Sequence, residues 1–185
     1  MPSLLFRVVL GFLLALSLAG GARADSVAVR SAELRVDEGE VLLNAEFNLG
    51  FNPTLEEALQ KGIPLYFVLE FELTRSRWYW LDEKVAQTAI TSRISYNALT
   101  QQYVVRSGLL SQSFNALDEV ERYIGRVNSR PVAQASALSK GTRYEAAIRL
   151  RLDVNQLPKP FQVNALASRE WTLASDWYRW TFVLP

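Results

Sequence analysis

Residues 63–84, IPLYFVLEFELTRSRWYWLDEK, decide the fold of this chain. In the first half, every second residue from position 65 to position 73 is leucine or phenylalanine, and Tyr66, Val68, Glu70 and Glu72 lie between them. This period of two predicts a β-strand with one buried face. The second half is a dense run of aromatic and charged side chains. We therefore expect the first half to supply the core and the second half to offer the best surface for a partner.

The N-terminal residues predict a secretory signal peptide over residues 1–24. Arg7 precedes an apolar run at residues 8–18, and Ala22-Arg23-Ala24 fits an A-x-A cleavage site. The alternative is a retained membrane anchor, but the run is well short of the roughly 20 residues that a spanning helix needs. We therefore expect cleavage after Ala24 and a periplasmic protein. No cysteine is present to carry a lipid there, and no later segment is apolar enough to cross a bilayer.

Composition predicts a single domain at residues 25–185, a length that suits one substantial core. Without Arg7 and Arg23, the exported chain carries 18 basic and 19 acidic residues and a formal charge of −1. A nearly neutral chain without a Lys/Arg cluster gives no indication of a nucleic acid or an anionic membrane as partner. The chain has no cysteine, so disulfides cannot stabilise it and the core must do so alone.

The remaining sequence predicts further strands. A hairpin is predicted from residues 26–36 and 41–51, which flank an acidic turn. The apolar residues at the two ends of its first arm are out of phase with a period of two, and a bulge near residues 30–33 would bring them to the same face. Residues 85–96 and 101–107 indicate a second hairpin. Three more strands are predicted, a weak one at residues 130–138, one with clean alternation at residues 143–154 and a last one at residues 172–184.

Two short helices are predicted between these strands. The first covers residues 52–62, with Asn52 as its N-cap, Pro53 in its first turn and Gly62 at its end. The second covers residues 115–127, capped by Ser113 or Asn115, whereas the proline-rich residues 157–161 predict a crossing loop. Short strands without βα alternation favour a mainly β fold, an antiparallel immunoglobulin-like β-sandwich with two short helices. An open barrel is the alternative.

Missing residue types exclude most catalytic sites. Without histidine or cysteine, the chain cannot build a Ser-His-Asp triad, a thiol nucleophile or the usual zinc sites. No lysine follows a serine by three residues, and no Gly-rich phosphate loop occurs. We therefore predict no catalytic residue, no metal site and no cofactor.

One carboxylate pair keeps an alternative open. Glu70 and Glu72 lie on one strand face about 6.5 to 7 Å apart, within the range used by glycosidases. The favoured interpretation is that they form cross-strand ion pairs with Arg149 and Arg151. Asp82-Glu83 is interpreted as a charged turn and not as a calcium site.

Trp78 and Trp80 allow two interpretations. If exposed, they would form a stacking platform for a sugar or an anchor for a protein partner. If buried, they would close one end of the core together with Trp177 and Trp180. Burial is favoured, since large apolar side chains are normally used inside proteins.

Four segments resemble a family of exported bacterial proteins known only as a domain of unknown function, number four-three-nine-zero. They are GIPLYFVLEFELTRSRWYWLDEKVA, ISYNALTQQYVV, LPKPFQVNAL and SDWYRWTF. The resemblance extends over nearly the whole exported chain, and it implies no activity, cofactor or catalytic residue. Members of the family are often encoded beside a membrane sensor kinase of the nitrogen-regulation type. The resemblance therefore implies a role in the envelope alongside signalling.

The leading hypothesis is a non-catalytic periplasmic interaction domain, accessory to an envelope sensor kinase system. Its contact candidates for an envelope protein are Arg75, Arg77, Trp78, Tyr79 and Trp80, because arginine and aromatic residues are enriched at interfaces. One alternative is a cell-wall glycan binder, or a glycan hydrolase that uses Glu70 and Glu72. Another is a periplasmic chaperone that pairs an edge strand with its client.

Overall fold

The computed structural model describes residues 27–75 and 82–184. The predicted mainly β architecture is confirmed, with 54% of the structure in strands and 22% in helices. The strands form two antiparallel sheets, one of three strands and one of six. The first sheet has the order β1-β2-β7, and the second has the order β6-β5-β4-β3-β8-β9.

The elements follow one another along the chain with short connections. The strands are β1 (Ala28–Asp37), β2 (Glu40–Asn48), β3 (Leu65–Arg75), β4 (Glu83–Asn97), β5 (Gln102–Ser107), β6 (Leu110–Phe114), β7 (Arg126–Gln134), β8 (Arg143–Leu152) and β9 (Tyr178–Val183). The helices are α1 (Pro53–Gln60), α2 (Leu117–Ile124) and α3 (Lys159–Ala167).

Strand β3 lies inside the larger sheet and is hydrogen-bonded along its length to β4 on one side and β8 on the other. Its leucine and phenylalanine side chains are all buried, as the alternation predicts. The intervening Glu70 and Glu72 are only half-buried, and they lie on the opposite face. We call the face with the buried side chains the inner face and the face with Glu70 the outer face.

The core lies between the inner faces of the two sheets. A single cluster joins Val41, Leu43 and Phe47 of β2 to Leu65, Phe67 and Phe71 of β3 and to Tyr144, Ile148 and Leu150 of β8. Thr88 of β4 donates a hydrogen bond through Oγ1 to the carbonyl of Val132 on β7, at 3.4 Å. The two sheets therefore share one hydrophobic core, which is the arrangement that the sandwich prediction requires.

Backbone irregularities in the small sheet occur in both edge strands. The bulge predicted in β1 is confirmed, because its register with β2 shifts between Val29 and Ser31. Strand β7 carries a second bulge, where Leu43 of β2 pairs with Arg130 while Ala45 pairs with Val127. At this second bulge the backbone of Ser129 has a φ of 45°. The register of β7 with β2 shifts again between Val41 and Leu42.

Helix α1 is formed by the signals that the sequence contains. Asn52 caps it, because its Oδ1 accepts a hydrogen bond from the N–H of Leu55 at 3.0 Å. Pro53 occupies the first turn, where a missing N–H costs nothing. Gly62 follows the helix with a φ of 81°, a conformation that glycine adopts without steric cost. These three predicted roles are confirmed.

Helix α2 is shorter than predicted and has a different cap. Neither Ser113 nor Asn115 is its N-cap, which is Ala116. The carboxylate of Glu119 instead accepts hydrogen bonds from the N–H groups of Asn115 at 3.1 Å and of Ala116 at 3.4 Å. Glu119 thus supplies the half of a capping box in which a first-turn carboxylate bonds the N-cap N–H, whereas Ala116 has no side chain that could accept from the first turn.

A third helix, α3, replaces most of the loop predicted at residues 157–161. Pro158 is its N-cap and Pro160 lies in its first turn, where proline is tolerated because no helical partner exists for its N–H. The prediction treated both prolines as helix breakers, although their position at a helix start makes them compatible with one. The ring of Phe161 on α3 lies 6.3 Å from that of Trp171.

Within residues 27–75 and 82–184, no helix is long and apolar enough to cross a membrane.

Candidate functional site

The predicted contact segment lies only partly within the described residues. Arg77, Trp78, Tyr79 and Trp80 fall outside them, so their predicted roles stay predictions. Arg75, the last residue of β3, pairs in register with Glu83 of β4. Its Nε donates a hydrogen bond to Oε2 of Glu83 at 3.0 Å. Arg75 is thus held at the base of the β3–β4 connection, with its side chain 36% exposed.

Glu70 lies at the centre of an ion-pair network on the outer face. Its Oε2 accepts a hydrogen bond from Nε of Arg149 at 2.8 Å, and its Oε1 accepts one from Nε of Arg151 at 3.0 Å. Both arginines come from β8, which neighbours β3. The ion pairs predicted for Glu70 are confirmed, because its two oxygens face two guanidinium groups.

Glu72 does not take part in this network, contrary to the prediction that it faces Arg149 and Arg151. In register it lies opposite Ala147 of β8. Its Oε1 accepts a hydrogen bond from Nζ of Lys84 on β4 at 2.7 Å. The two carboxylates therefore have separate cationic partners, because Glu70 pairs with arginines of β8 on one side of β3 and Glu72 pairs with a lysine of β4 on the other side.

The arginines keep Glu70 ionised. Burial on the sheet raises the pKa of its carboxyl group, but the hydrogen bonds from Arg149 and Arg151 outweigh it, and the pKa lies below the usual 4.5. A general acid in a glycosidase needs the opposite shift, towards a raised pKa. The environment of Glu70 therefore suits a structural ion pair better than proton donation.

The network continues along β8 to the turn that follows it. Nη1 of Arg151 donates to Oδ1 of Asp153 at 3.2 Å, and Nε2 of Gln156 donates to Oδ2 of the same carboxylate at 2.9 Å. Burial raises the pKa of Asp153, but these hydrogen bonds and the charge of Arg151 lower it more. Asp153 is thus a second ionised carboxylate that holds Arg151 in place.

Trp177 contributes an aromatic ring to the same face. The guanidinium carbon of Arg149 lies 4.8 Å from the centre of the Trp177 ring, and that of Arg179 lies 6.0 Å from it. These distances are typical of cation–π contacts. Trp177 is half-buried on the outer face and does not belong to the hydrophobic core cluster, so the expectation that it closes the core is wrong. Its partner in that expectation, Trp180, is partly buried against the core and keeps the predicted role.

We call the outer-face group of Glu70, Arg149, Arg151, Asp153, Trp177 and Arg179 the arginine–tryptophan surface. Glu70 and its two arginine partners were predicted from the sequence, whereas the position of Trp177 on this face was not. The alternation of the last strand contains the missing signal. Trp180 pairs in register with Ala146, which is buried on the inner face. Because side chains alternate along an extended chain, a residue three positions earlier, Trp177, lies on the outer face.

A second feature is a cleft of about 560 Å³ between the two sheets. Its floor is the inner face of the larger sheet, where Phe67, Leu69 and Leu150 are buried. Its edge is basic, because the exposed Arg122, Arg126 and Arg130 line it from the end of α2 and from β7. Neither the cleft nor the role of these arginines was predicted from the sequence. The sequence contained one indication of a basic edge, namely the two arginines at positions 126 and 130 in a segment with weak strand character.

The described residues contain no group of three or more His, Cys, Asp or Glu side chains that could hold a metal ion. They carry arginine, tryptophan and ion-paired carboxylates on the outer face and an apolar cleft with a basic edge on the inner face.

The fold and these surfaces define a class, a mainly β domain of two antiparallel sheets with arginine-rich surfaces. The chain belongs to the family described as Domain of unknown function (DUF4390), which matches residues 24–181. The family resemblance noted from the sequence is thereby confirmed. No curated protein and no solved structure matches the chain significantly.

Proposed function

We propose that this protein is a non-catalytic recognition domain of the cell envelope that binds a protein partner through its outer face. The observation that carries the proposal is the fixed arginine–tryptophan surface, in which Glu70 orders Arg149 and Arg151 while Trp177 stacks on Arg149. Arginine and tryptophan are the residue types most enriched at interface hot spots. Side chains that are already ordered lose less conformational entropy when a partner binds.

The outer face leads towards the segment that carries the other contact candidates. Glu72 and Lys84 form an ion pair on the β3–β4 hairpin, and Arg75 and Glu83 pair at its end. The connection that follows Arg75 contains Arg77, Trp78, Tyr79 and Trp80. We therefore propose that one partner contacts both the outer face and this connection, whose residues 76–81 lie outside the described part of the chain. The envelope sensor kinase implied by the family resemblance is the partner to test first.

Site-specific photo-crosslinking in living cells tests this proposal. A crosslinking residue is placed at position 78 or 177, and a matched control is placed at Leu99, which is 97% exposed at the β4–β5 turn. We expect positions 78 and 177 to capture the same protein, and position 99 not to capture it. Arg149→Ala should weaken capture from both positions. Folded protein that forms no specific crosslink from either position contradicts the proposal.

The glycan alternative is less well supported by the contacts of Glu70 and Glu72. Both carboxylates are already engaged by cations, whereas a hydrolase needs one raised pKa and room for a sugar between the two groups. Sedimentation with purified cell-wall material tests glycan binding. Turnover of a glycan that Glu70→Gln abolishes in a folded protein would replace our proposal with the alternative.

One observation favours the chaperone alternative as a second candidate. Within the described residues β6 is hydrogen-bonded only to β5, and it contains neither proline nor a charged residue. Its first residue, Leu110, is exposed, and so is Leu109 immediately before it. An edge strand with this composition can accept an added strand from another chain. Ser111→Pro should remove such binding, while the same change would leave crosslinking from position 177 intact.

A further inference from the structure

The cleft between the sheets combines the two features of a site for an amphipathic anion. Its volume of about 560 Å³ falls within the range of roughly 300 to 1,000 Å³ that is usual for small-molecule sites. Its floor is apolar, and β4 contributes Ile90 and Ser92 to its wall. Both residues lie on the inner face of the sheet and yet are only half-buried. Solvent therefore reaches Ile90 and Ser92 in the cleft, whereas Phe67 and Leu150 beneath them are 0% and 2% exposed.

The bulge in β7 directs a positive charge towards this opening. Arg126 pairs in register with the half-buried Glu46, whereas Arg130 pairs with the fully buried Leu43. In a regular strand, residues four apart would lie on the same face. Because the bulge inserts one residue, Arg130 lies on the side of Leu43, which is the side of the cleft. The N–H of Ser129 donates to Oδ1 of Asn44 at 2.8 Å and fixes the bulge.

The charges at the edge of the cleft are not fully compensated. Nη1 of Arg122 lies 2.6 Å from Oδ2 of Asp118, and Nη2 of Arg126 lies 4.0 Å from Oε1 of Glu46. The side chain of Arg130 makes no ion pair or hydrogen bond within residues 27–75 and 82–184. An apolar floor beneath a guanidinium group without a counterion is complementary to an apolar chain that ends in an anion.

From this complementarity we propose that the cleft binds a single-chain amphiphile with an anionic head, of the fatty-acid type. The alkyl chain lies against Ile90, Tyr123 and Val127, the partly exposed apolar residues that line the cleft, and the carboxylate pairs with Arg130 at its edge. Arg122 and Arg126 add to the positive potential there. This site lies on the opposite face of β3 from the arginine–tryptophan surface, and it does not depend on the function proposed for that surface.

Isothermal titration calorimetry with decanoate and decanol tests the site. The two ligands have the same chain and differ in the charge of the head. We expect decanoate to bind one molecule per chain, and decanol to bind more weakly. Arg130→Gln should weaken decanoate binding about tenfold to a hundredfold, the loss typical of one charge-assisted hydrogen bond, and should leave decanol binding unchanged.

Two further variants complete the test. Arg106→Gln is the matched control, because Arg106 is an exposed arginine of β5 that does not line the cleft. Its decanoate binding should equal that of the unchanged protein. Ile90→Trp places a large ring in the cleft and should abolish binding of both ligands. The proposal fails if decanoate does not bind, if decanol binds as tightly, or if Arg130→Gln and Arg106→Gln have the same effect. Since Arg130 is exposed, its variant should fold even if the Ile90 variant does not.

Discussion

The guanidinium carbon of Arg149 lies 4.8 Å from the centre of the Trp177 ring, while the same side chain donates a hydrogen bond to Glu70. One arginine thus joins an aromatic ring on one side to a carboxylate on the other. Because the three residues come from β3, β8 and the segment before β9, this contact ties together elements that are far apart in the sequence.

Replacing Trp177 with alanine should lower the free energy of unfolding by about 1 to 2 kcal/mol. The loss comes from the cation–π contact and from the apolar area that the half-buried ring covers. Trp177→Phe should lose less, because it keeps a ring over Arg149. Urea unfolding checks the order of the two variants, with Leu99→Ala as a control at a highly exposed position. Equal stability of the alanine variant and the unchanged protein would contradict the stacking role.

Replacing Glu70 with glutamine should lower the free energy of unfolding by about 1 to 2 kcal/mol at neutral pH. The side chains of Glu70, Arg149 and Arg151 are 19%, 31% and 29% exposed. This places the network between surface pairs, which contribute little, and buried pairs, whose disruption costs several kcal/mol. Glu57→Gln, which removes an exposed pair with Lys61 on α1, is the matched control and should have little effect. A loss in the control as large as that of Glu70→Gln would argue against the network.

The stabilisation by Glu70 and Asp153 should depend on pH in a defined direction. Both groups have a lower pKa in the folded protein than their usual values of 4.5 and 3.8. A lowered pKa means that the stabilisation is complete above the usual value and is lost as pH falls through the folded value. The stability difference between the unchanged protein and Glu70→Gln should therefore be constant near neutral pH and shrink below about pH 4. A difference that grows on acidification would contradict this assignment.

Glu121 should show the opposite dependence. Its carboxylate accepts a hydrogen bond from the N–H of Phe51 at 2.7 Å. Burial has the largest effect on this carboxyl group and raises its pKa above 4.5, although the hydrogen bond from Phe51 acts in the opposite direction. A raised pKa means that the ionised form is less favourable in the folded protein, so stability falls as pH rises through 4.5 to the folded value. Glu121→Gln can still accept the hydrogen bond. At neutral pH we expect this variant to be at least as stable as the unchanged protein. At low pH the unchanged protein should gain stability and the variant should not. A difference in the free energy of unfolding that is the same at every pH would contradict this.

Gly125 should not tolerate a side chain, because the chain is too close to β2 at this point. A Cβ atom there would lie 2.7 Å from the carbonyl oxygen of Phe47 and 2.9 Å from that of Glu121. Gly125→Ala should cost about 1 to 3 kcal/mol, the usual range for overpacking. Gly50→Ala is the matched control, since nothing lies within 4 Å of its Cβ position. Thermal unfolding should separate the two variants, and equal melting temperatures would contradict the close contact.

Local signals in the sequence predicted much of the fold. The alternation of β3 predicted its buried face, and the loss of phase in the first strand predicted its bulge, because both effects depend only on neighbouring residues. The cap at Asn52 was predicted for the same reason. In contrast, β6 was not predicted, since Leu110, Ser111 and Gln112 have no clear alternation and are ordered by pairing with β5.

The sites were predicted less completely than the fold. The partners of Glu70 could be predicted because β3 and β8 have the clearest alternation in the chain, so their outer faces were defined before their pairing was known. The cleft could not be predicted in this way. Arg130 faces it only because of a bulge in β7, and that bulge depends on a hydrogen bond between Ser129 and Asn44, which are 85 residues apart.

The position of β3 between two neighbours has a consequence for genetics. Odd-numbered residues such as Phe67 and Leu69 contact the cleft side, and even-numbered residues such as Glu70 belong to the opposite side. Only the thickness of a single backbone separates them. Substitutions at adjacent codons in this short stretch of the gene therefore affect opposite faces of the sheet, so saturation mutagenesis of β3 can separate effects on the core from effects on the arginine–tryptophan surface.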